Sequence, residues 1–158
     1  MAVHGVAQFR TLAAKMKPGL TIIVVDPDDD YLGLEISAHS DRFSGATRIY
    51  GSHDELVKFS DSIEGFPTSA GDSRHYMFGH FDPTYAGGGL EAHFKCIDGS
   101  GHCTLRLRFF DDQGRYGAGT ADFSFQFEPA SLDEFISTLR KLSTNRIGDS
   151  AMLVRKLG

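Results

Sequence analysis

The chain is poor in the features that would assign it quickly. It has only two cysteines, too few for a disulfide framework. It has no basic surplus: sixteen Lys plus Arg stand against twenty-one Asp plus Glu, for a net charge of −5. Nucleic-acid binders advertise the opposite sign, so nucleic acid is not expected as a partner. Long apolar runs are also missing. The longest, Leu20 to Val25, is interrupted by Thr21 and is far too short to span a bilayer. The segment Met1 to Pro18 lacks the continuous apolar core of a secretory signal. What remains is an ordinary globular composition, 41% hydrophobic and 23% charged over 158 residues, the size of one domain. A cytoplasmic protein without membrane association is the expectation.

Two amphipathic helices can be read from their apolar spacing. One carries Leu56, Phe59, Ser60 and Ile63 on a face, the other Leu132, Phe135, Ile136, Leu139 and Leu142. Each is preceded by an S-x-x-E pattern, Ser52 to Glu55 and Ser131 to Glu134, which predicts a reciprocal capping box at both starts. Gly65 and Pro67 should end the first helix, and Arg140 with Lys141 suits the end of the second. The other segments read as strands: Leu20 to Val25, Tyr31 to His39, Ala46 to Gly51, Arg74 to Phe81, Gly89 to Ile97, His102 to Phe110 and Thr120 to Glu128. The fold class is therefore α+β, largely antiparallel, with about seven strands and two helices. Whether the strands make one sheet or two is open. Residues 20–142 form the expected single domain, residues 1–19 an extension or short helix (Val6, Phe9, Leu12, Ala13 and Met16 at helical spacing), and residues 143–158 a C-terminal tail.

One hairpin can be taken to register. Asp98-Gly99-Ser100-Gly101 is its turn, and pairing Ile97 with His102 sets Cys96 against Cys103, Phe94 against Leu105, Ala92 against Leu107 and Leu90 against Phe109. The other face then sets His93 against Arg106 and Glu91 against Arg108. A one-residue slip would oppose apolar to charged residues, so only this register keeps one face dry. The next strand continues the alternation, with Ala121, Phe123, Phe125 and Phe127 inward and Arg108 opposite Asp122, Arg106 opposite Ser124.

The chemistry-bearing residues point away from catalysis. Seven histidines are present, but no H-E-x-x-H, and no spacing groups them as metal ligands. No G-x-S-x-G elbow occurs. Gly87-Gly88-Gly89 leads into a strand and lacks the Lys that follows a phosphate loop, so a tight turn or close backbone approach is its expected role. The acids at Asp28 to Asp30 and at Asp111 and Asp112 suit turns. Opposed Cys96 and Cys103 are expected as reduced, buried thiols. No cofactor, metal or catalytic residue is expected. The most organised constellation is the polar ladder Glu91, Arg108, Asp122 with His93, Arg106, Ser124 beside it. It is a candidate protein-binding face, where Arg is enriched. An alternative is a ligand-binding or enzymatic site built by the loop around His80, Asp82 and Tyr85.

The stretch Ser37 to Leu142 carries a resemblance. Ser40-Asp41-Arg42-Phe43-Ser44-Gly45, the strand leading into Glu55-Leu56, Tyr85-Ala86-Gly87-Gly88-Gly89-Leu90, Cys96-Ile97-Asp98-Gly99 and Ser131-Leu132-Asp133-Glu134-Phe135 resemble small bacterial proteins that are similar to WapI-type immunity proteins. The resemblance implies a non-catalytic protein that binds and neutralises a partner toxin domain, with no catalytic residues to carry over. The leading reading is thus a non-catalytic binding module. A third reading is a homo-oligomer joined through an exposed edge strand.

Overall fold

The structure, a computed structural model, describes residues 17–112, 117–142 and 146–155; the segment carrying Val6 to Met16 lies outside them. The elements run β1 (Gly19–Pro27), β2 (Leu32–His39), β3 (Ser44–Gly51), α1 (Glu55–Ile63), β4 (Ser73–Gly79), β5 (Gly89–Cys96), β6 (Cys103–Asp112), β7 (Ala118–Phe127), α2 (Pro129–Lys141) and β8 (Ser150–Val154). There are two four-stranded sheets, ordered β3-β2-β1-β8 and β4-β5-β6-β7, and every pairing is antiparallel. The eighth strand comes from the C-terminal tail. Its Leu153 and Ala151 pair with Leu20 and Ile22 of β1, so their small apolar run is buried on the same face.

Period-two alternation explains the strands. In β2 Leu34, Ile36 and Ala38 are buried, while Glu35 and Ser37 between them are not. In β6 Leu105, Leu107 and Phe109 point in and Arg106 and Arg108 point out. The hairpin register read from the sequence is the one observed, from Leu90↔Phe109 to Cys96↔Cys103, and Arg108↔Asp122 and Arg106↔Ser124 follow in β7.

Both helices bury the expected faces, but neither capping box forms. At α1 the N-cap is Asp54, and Glu55 is already the first helical residue. Ser52 Oγ bonds Asp54 Oδ1 at 2.5 Å, and the Glu55 carboxylate instead accepts from the Tyr76 hydroxyl of β4 at 3.1 Å. At α2 the helix begins earlier, with Pro129 at the first turn and Glu128 as N-cap. Proline favours that position because its φ is preset and its missing N–H is not needed there. Ser131 therefore lies inside the helix, 3% exposed, and its Oγ is buried without a hydrogen-bond partner. Local start signals lost here to a proline two residues upstream and to a tyrosine brought in by tertiary packing.

One hydrophobic core joins both sheets and both helices. Phe59 of α1 is fully buried at its centre. Its ring meets Phe78 at 4.8 Å, Tyr76 at 5.1 Å, Phe135 of α2 at 6.1 Å and Phe94 at 6.2 Å between centroids. The two sheets are also stitched together by backbone. β3 runs across the strands of the second sheet, with Gly45 against Phe109 of β6 and Ile49 against Gly79 at the end of β4. Between them the Thr47 hydroxyl donates to the Phe110 carbonyl at 2.8 Å, and the Gly88 N–H donates to the Arg48 carbonyl at 2.8 Å. Gly88 and Gly89 leave no room for a Cβ. The triple glycine is a close backbone approach between sheets, the role expected of it over a phosphate loop.

Candidate functional site

The outer face of the second sheet assembles the polar ladder. With one face of each strand committed to the core, the alternate residues form three rows across the four strands. The first row is Ser73, Lys95, Thr104 and Gln126. Beside it runs His75, His93, Arg106 and Ser124, followed by Met77, Glu91, Arg108 and Asp122. All six residues read from the sequence, Glu91, His93, Arg106, Arg108, Asp122 and Ser124, thus share one surface.

Their side chains link diagonally as well as straight across. Arg106 faces Ser124 in register but donates to Asp122, from Nε to Oδ1 at 2.9 Å and from Nη2 to Oδ2 at 2.7 Å. Arg108 donates to Glu91 Oε2 at 3.1 Å, and its Nε lies 3.9 Å from Asp122 Oδ2. The other Glu91 oxygen is 2.9 Å from His75 Nε2. His93 Nε2 is 2.6 Å from Ser73 Oγ, and the His75 and His93 rings meet edge to face at 6.2 Å. The Arg108 guanidinium also stands 5.8 Å from the centre of the Phe81 ring, a cation–π distance.

The electrostatics follow from these bonds. The hydrogen bond from His75, then the charges of Arg108, His75 and Arg106, hold Glu91 below the usual carboxylate range. The Arg106 fork does the same for Asp122, with Arg108 adding its charge. Asp122 in turn raises Arg106. These groups stay ionised at neutral pH and are held in fixed positions, yet they remain solvated: the Arg106 side chain is 56% exposed and Arg108 47%. Exposed pairs of this kind add little stability. An ordered, exposed array of full charges suits recognition, because bidentate and stacked arginines present donors in fixed directions.

His75, Ser73 and Phe81 were not among the residues read from the sequence. β4 pairs with β5 through a nine-residue connection, from Gly79 to Gly89, and a loop of that length fixes no parity that could have placed His75 beside His93.

The loop residues of the alternative site come close to one another. The His80 and Tyr85 rings stack at 4.4 Å. The Asp82 carboxylate accepts from the Thr84 amide and hydroxyl, both at 2.9 Å, a self-closing turn that holds it below the usual carboxylate range. Three grooves, of about 420, 370 and 310 Å³, are lined by residues 100–103 with 126–130 and Arg155, by Ser40–Phe43 with Asp122–Ser124, and by Glu64, Gly65 and part of α2. None of the three includes His80, Asp82 or Tyr85.

Cys96 and Cys103 are free and buried. Burial and the neighbouring Cys96 push the Cys103 thiol up to about 12, which keeps it protonated and unreactive as a nucleophile. Among the described residues no group of three or more His, Cys, Asp or Glu could hold a metal ion, and no helix is long and apolar enough to cross a membrane. No family model, no curated protein and no solved structure matches the chain.

Proposed function

We propose that this protein is a non-catalytic protein-binding module of the immunity type, and that it holds its partner toxin domain on the outer face of β4 to β7. The observation that carries the reading is the charge array itself: Arg106, Arg108, Glu91 and Asp122, fixed by mutual hydrogen bonds and extended by His75 and His93 on one sheet face. Exposed, oriented arginines serve protein recognition, whereas small-molecule sites are mostly apolar. The sequence resemblance to WapI-type immunity proteins supplies the class of partner, and the free, protonated Cys103 and the self-bonded Asp82 offer no competing chemistry.

The test uses the whole chain as bait in a bacterial lysate, beside an Arg106→Glu/Arg108→Glu bait. The partner retained by the native bait is then purified, and both baits are titrated against it. Expression of that partner alone should arrest growth, and co-expression of the native chain, but not of the double variant, should restore it. A partner bound equally by both baits would remove the face assignment. A partner that does not arrest growth would remove the immunity reading.

A further inference from the structure

We propose that β7 is a self-association edge: it pairs antiparallel with β7 of a second copy of the chain, centred on Phe123, joining two four-stranded sheets into one of eight strands. This inference does not depend on the docking face.

Both sheets end in strands whose outer backbone groups need cover. In the first sheet β8 lies against α2 and β3 crosses the second sheet; in the second sheet β4 lies against α1 and β3. Among the described residues β7 packs chiefly against β6 and, less extensively, against β3. Edge strands that stay solitary are guarded by lysines, prolines or bulges. β7 is ten residues long, AGTADFSFQF, with no proline and no lysine, and it pairs with β6 without a register shift. Its single charge, Asp122, is turned over β6 onto Arg106 and so does not guard the edge. The core rings nearest this edge also keep some exposure, Phe123 at 7% and Phe125 at 5%, where Phe94 and Phe78 are at 0%. Beside the edge, Phe43 is 65% exposed and lines the groove shared with Asp122, Phe123 and Ser124. A second copy would cover the Phe43 and Phe123 rings in that groove, whose other lining residues, Ser40, Asp41 and Arg42, are polar.

The register follows from charge and parity. Directly opposed residues in an antiparallel pair share a face, so the twofold axis must pass through a residue. For full overlap of Ala118–Phe127 that residue is Asp122 or Phe123. Centring on Asp122 opposes two carboxylates. Centring on Phe123 opposes two rings on the core side, sets Ala121 against Phe125 of the second copy, and on the solvent side sets Asp122 against Ser124 and Thr120 against Gln126. No like charges meet, and Ala121 leaves room for the opposed Phe125 ring.

Sedimentation velocity of the full chain, from low micromolar to millimolar concentration, tests this with two variants of the solvent face. Thr120→Lys/Gln126→Lys places lysine opposite lysine twice in the proposed register, and Thr120→Glu/Gln126→Glu does the same with carboxylates. The native chain should dimerise, each variant alone should self-associate about tenfold more weakly, and an equimolar mixture of the two should recover a heterodimer. Recovery in the mixture also shows that both variants are folded. A native chain that stays monomeric throughout would overturn the proposal. So would a dimer that both variants retain unchanged, or one that the lysines tighten, since in the register centred on Ser124 those lysines would face Glu128 and Asp122.

Discussion

Replacing Gly88 with alanine should be among the most damaging single-methyl changes in this protein. A Cβ at that position would fall inside the contact shells of Thr47 Oγ1 and the Phe110 carbonyl oxygen, closer than the 3.0 Å that real Cβ atoms respect. Neither neighbour can step aside cheaply. Phe110 is paired within β6 and β5, and Thr47 is 2% exposed with its hydroxyl bound to that same carbonyl. Relief requires β3 to move off the second sheet, which also stretches the bond from Gly88 N–H to the Arg48 carbonyl. Overpacking costs about 1–3 kcal/mol, and a buried hydrogen bond left open costs about 1–3 kcal/mol more, so a loss of about 4 kcal/mol is expected. For a chain of this size that corresponds to a fall of about 10 °C in thermal midpoint, or about 2 M in urea midpoint. Urea unfolding followed by circular dichroism would read it. Gly99→Ala is the control, because nothing lies within 4 Å of its Cβ position, and its change should stay within about 0.5 kcal/mol. Adding Thr47→Ala to Gly88→Ala should not rescue stability, since the Phe110 carbonyl remains in the way. A Gly88→Ala protein within about 1 kcal/mol of the native one would refute the claim that the sheets are joined by backbone approach at this point.

Other consequences follow from particular side chains. Ser131→Ala should raise stability by about 1 kcal/mol, because it removes a buried hydroxyl without a partner; a true capping box would give a loss of about that size, so the sign in a urea titration decides. Asp72 is held down to about 2, against its ordinary 3.8, by the Arg74 fork and the Thr68 amide and hydroxyl. A depressed folded-state value means that its contribution is present above pH 3.8 and is lost as pH falls toward 2. Asp72→Asn should therefore lower stability at neutral pH, and the gap to the native chain should narrow between those two values. The exposed Arg106 and Arg108 should be dispensable for folding, with Arg106→Ala/Arg108→Ala leaving the thermal midpoint nearly unchanged while partner binding is lost.

How much of this was legible in the residues varies by distance along the chain. The β5–β6 hairpin was readable to the register, because a four-residue turn and strict alternation leave one arrangement with a dry face. The continuation into β7 was readable from alternation alone, by matching its dry face to that of β6, and with it the six ladder residues. Helix faces were readable from spacing, but helix starts were not: Pro129 and Tyr76 decided them, one by backbone preference and one by a contact made only in the folded chain. β8 carries only Ala151, Leu153 and their neighbours, and its assignment required β1 to lie alongside it. His75 joined the site through a long connection whose length carries no register. The division into two sheets, and the crossing of β3 over the second, depend on contacts such as Thr47 with Phe110, 63 residues apart, which no local pattern records.

Docking of the partner on the outer face of β4 to β7 can be read directly from two methionines. Met77 lies on that face in the row of Glu91 and Arg108 and is 42% exposed, while Met152 lies on β8 of the other sheet and is 56% exposed. Oxidative footprinting of the complex with the captured partner, read as methionine sulfoxide by peptide mass spectrometry, compares them within one sample. Met77 should be shielded, and Met152 should oxidise at the rate of the free chain. Shielding of Met152 with Met77 still fully reactive would contradict docking on that face.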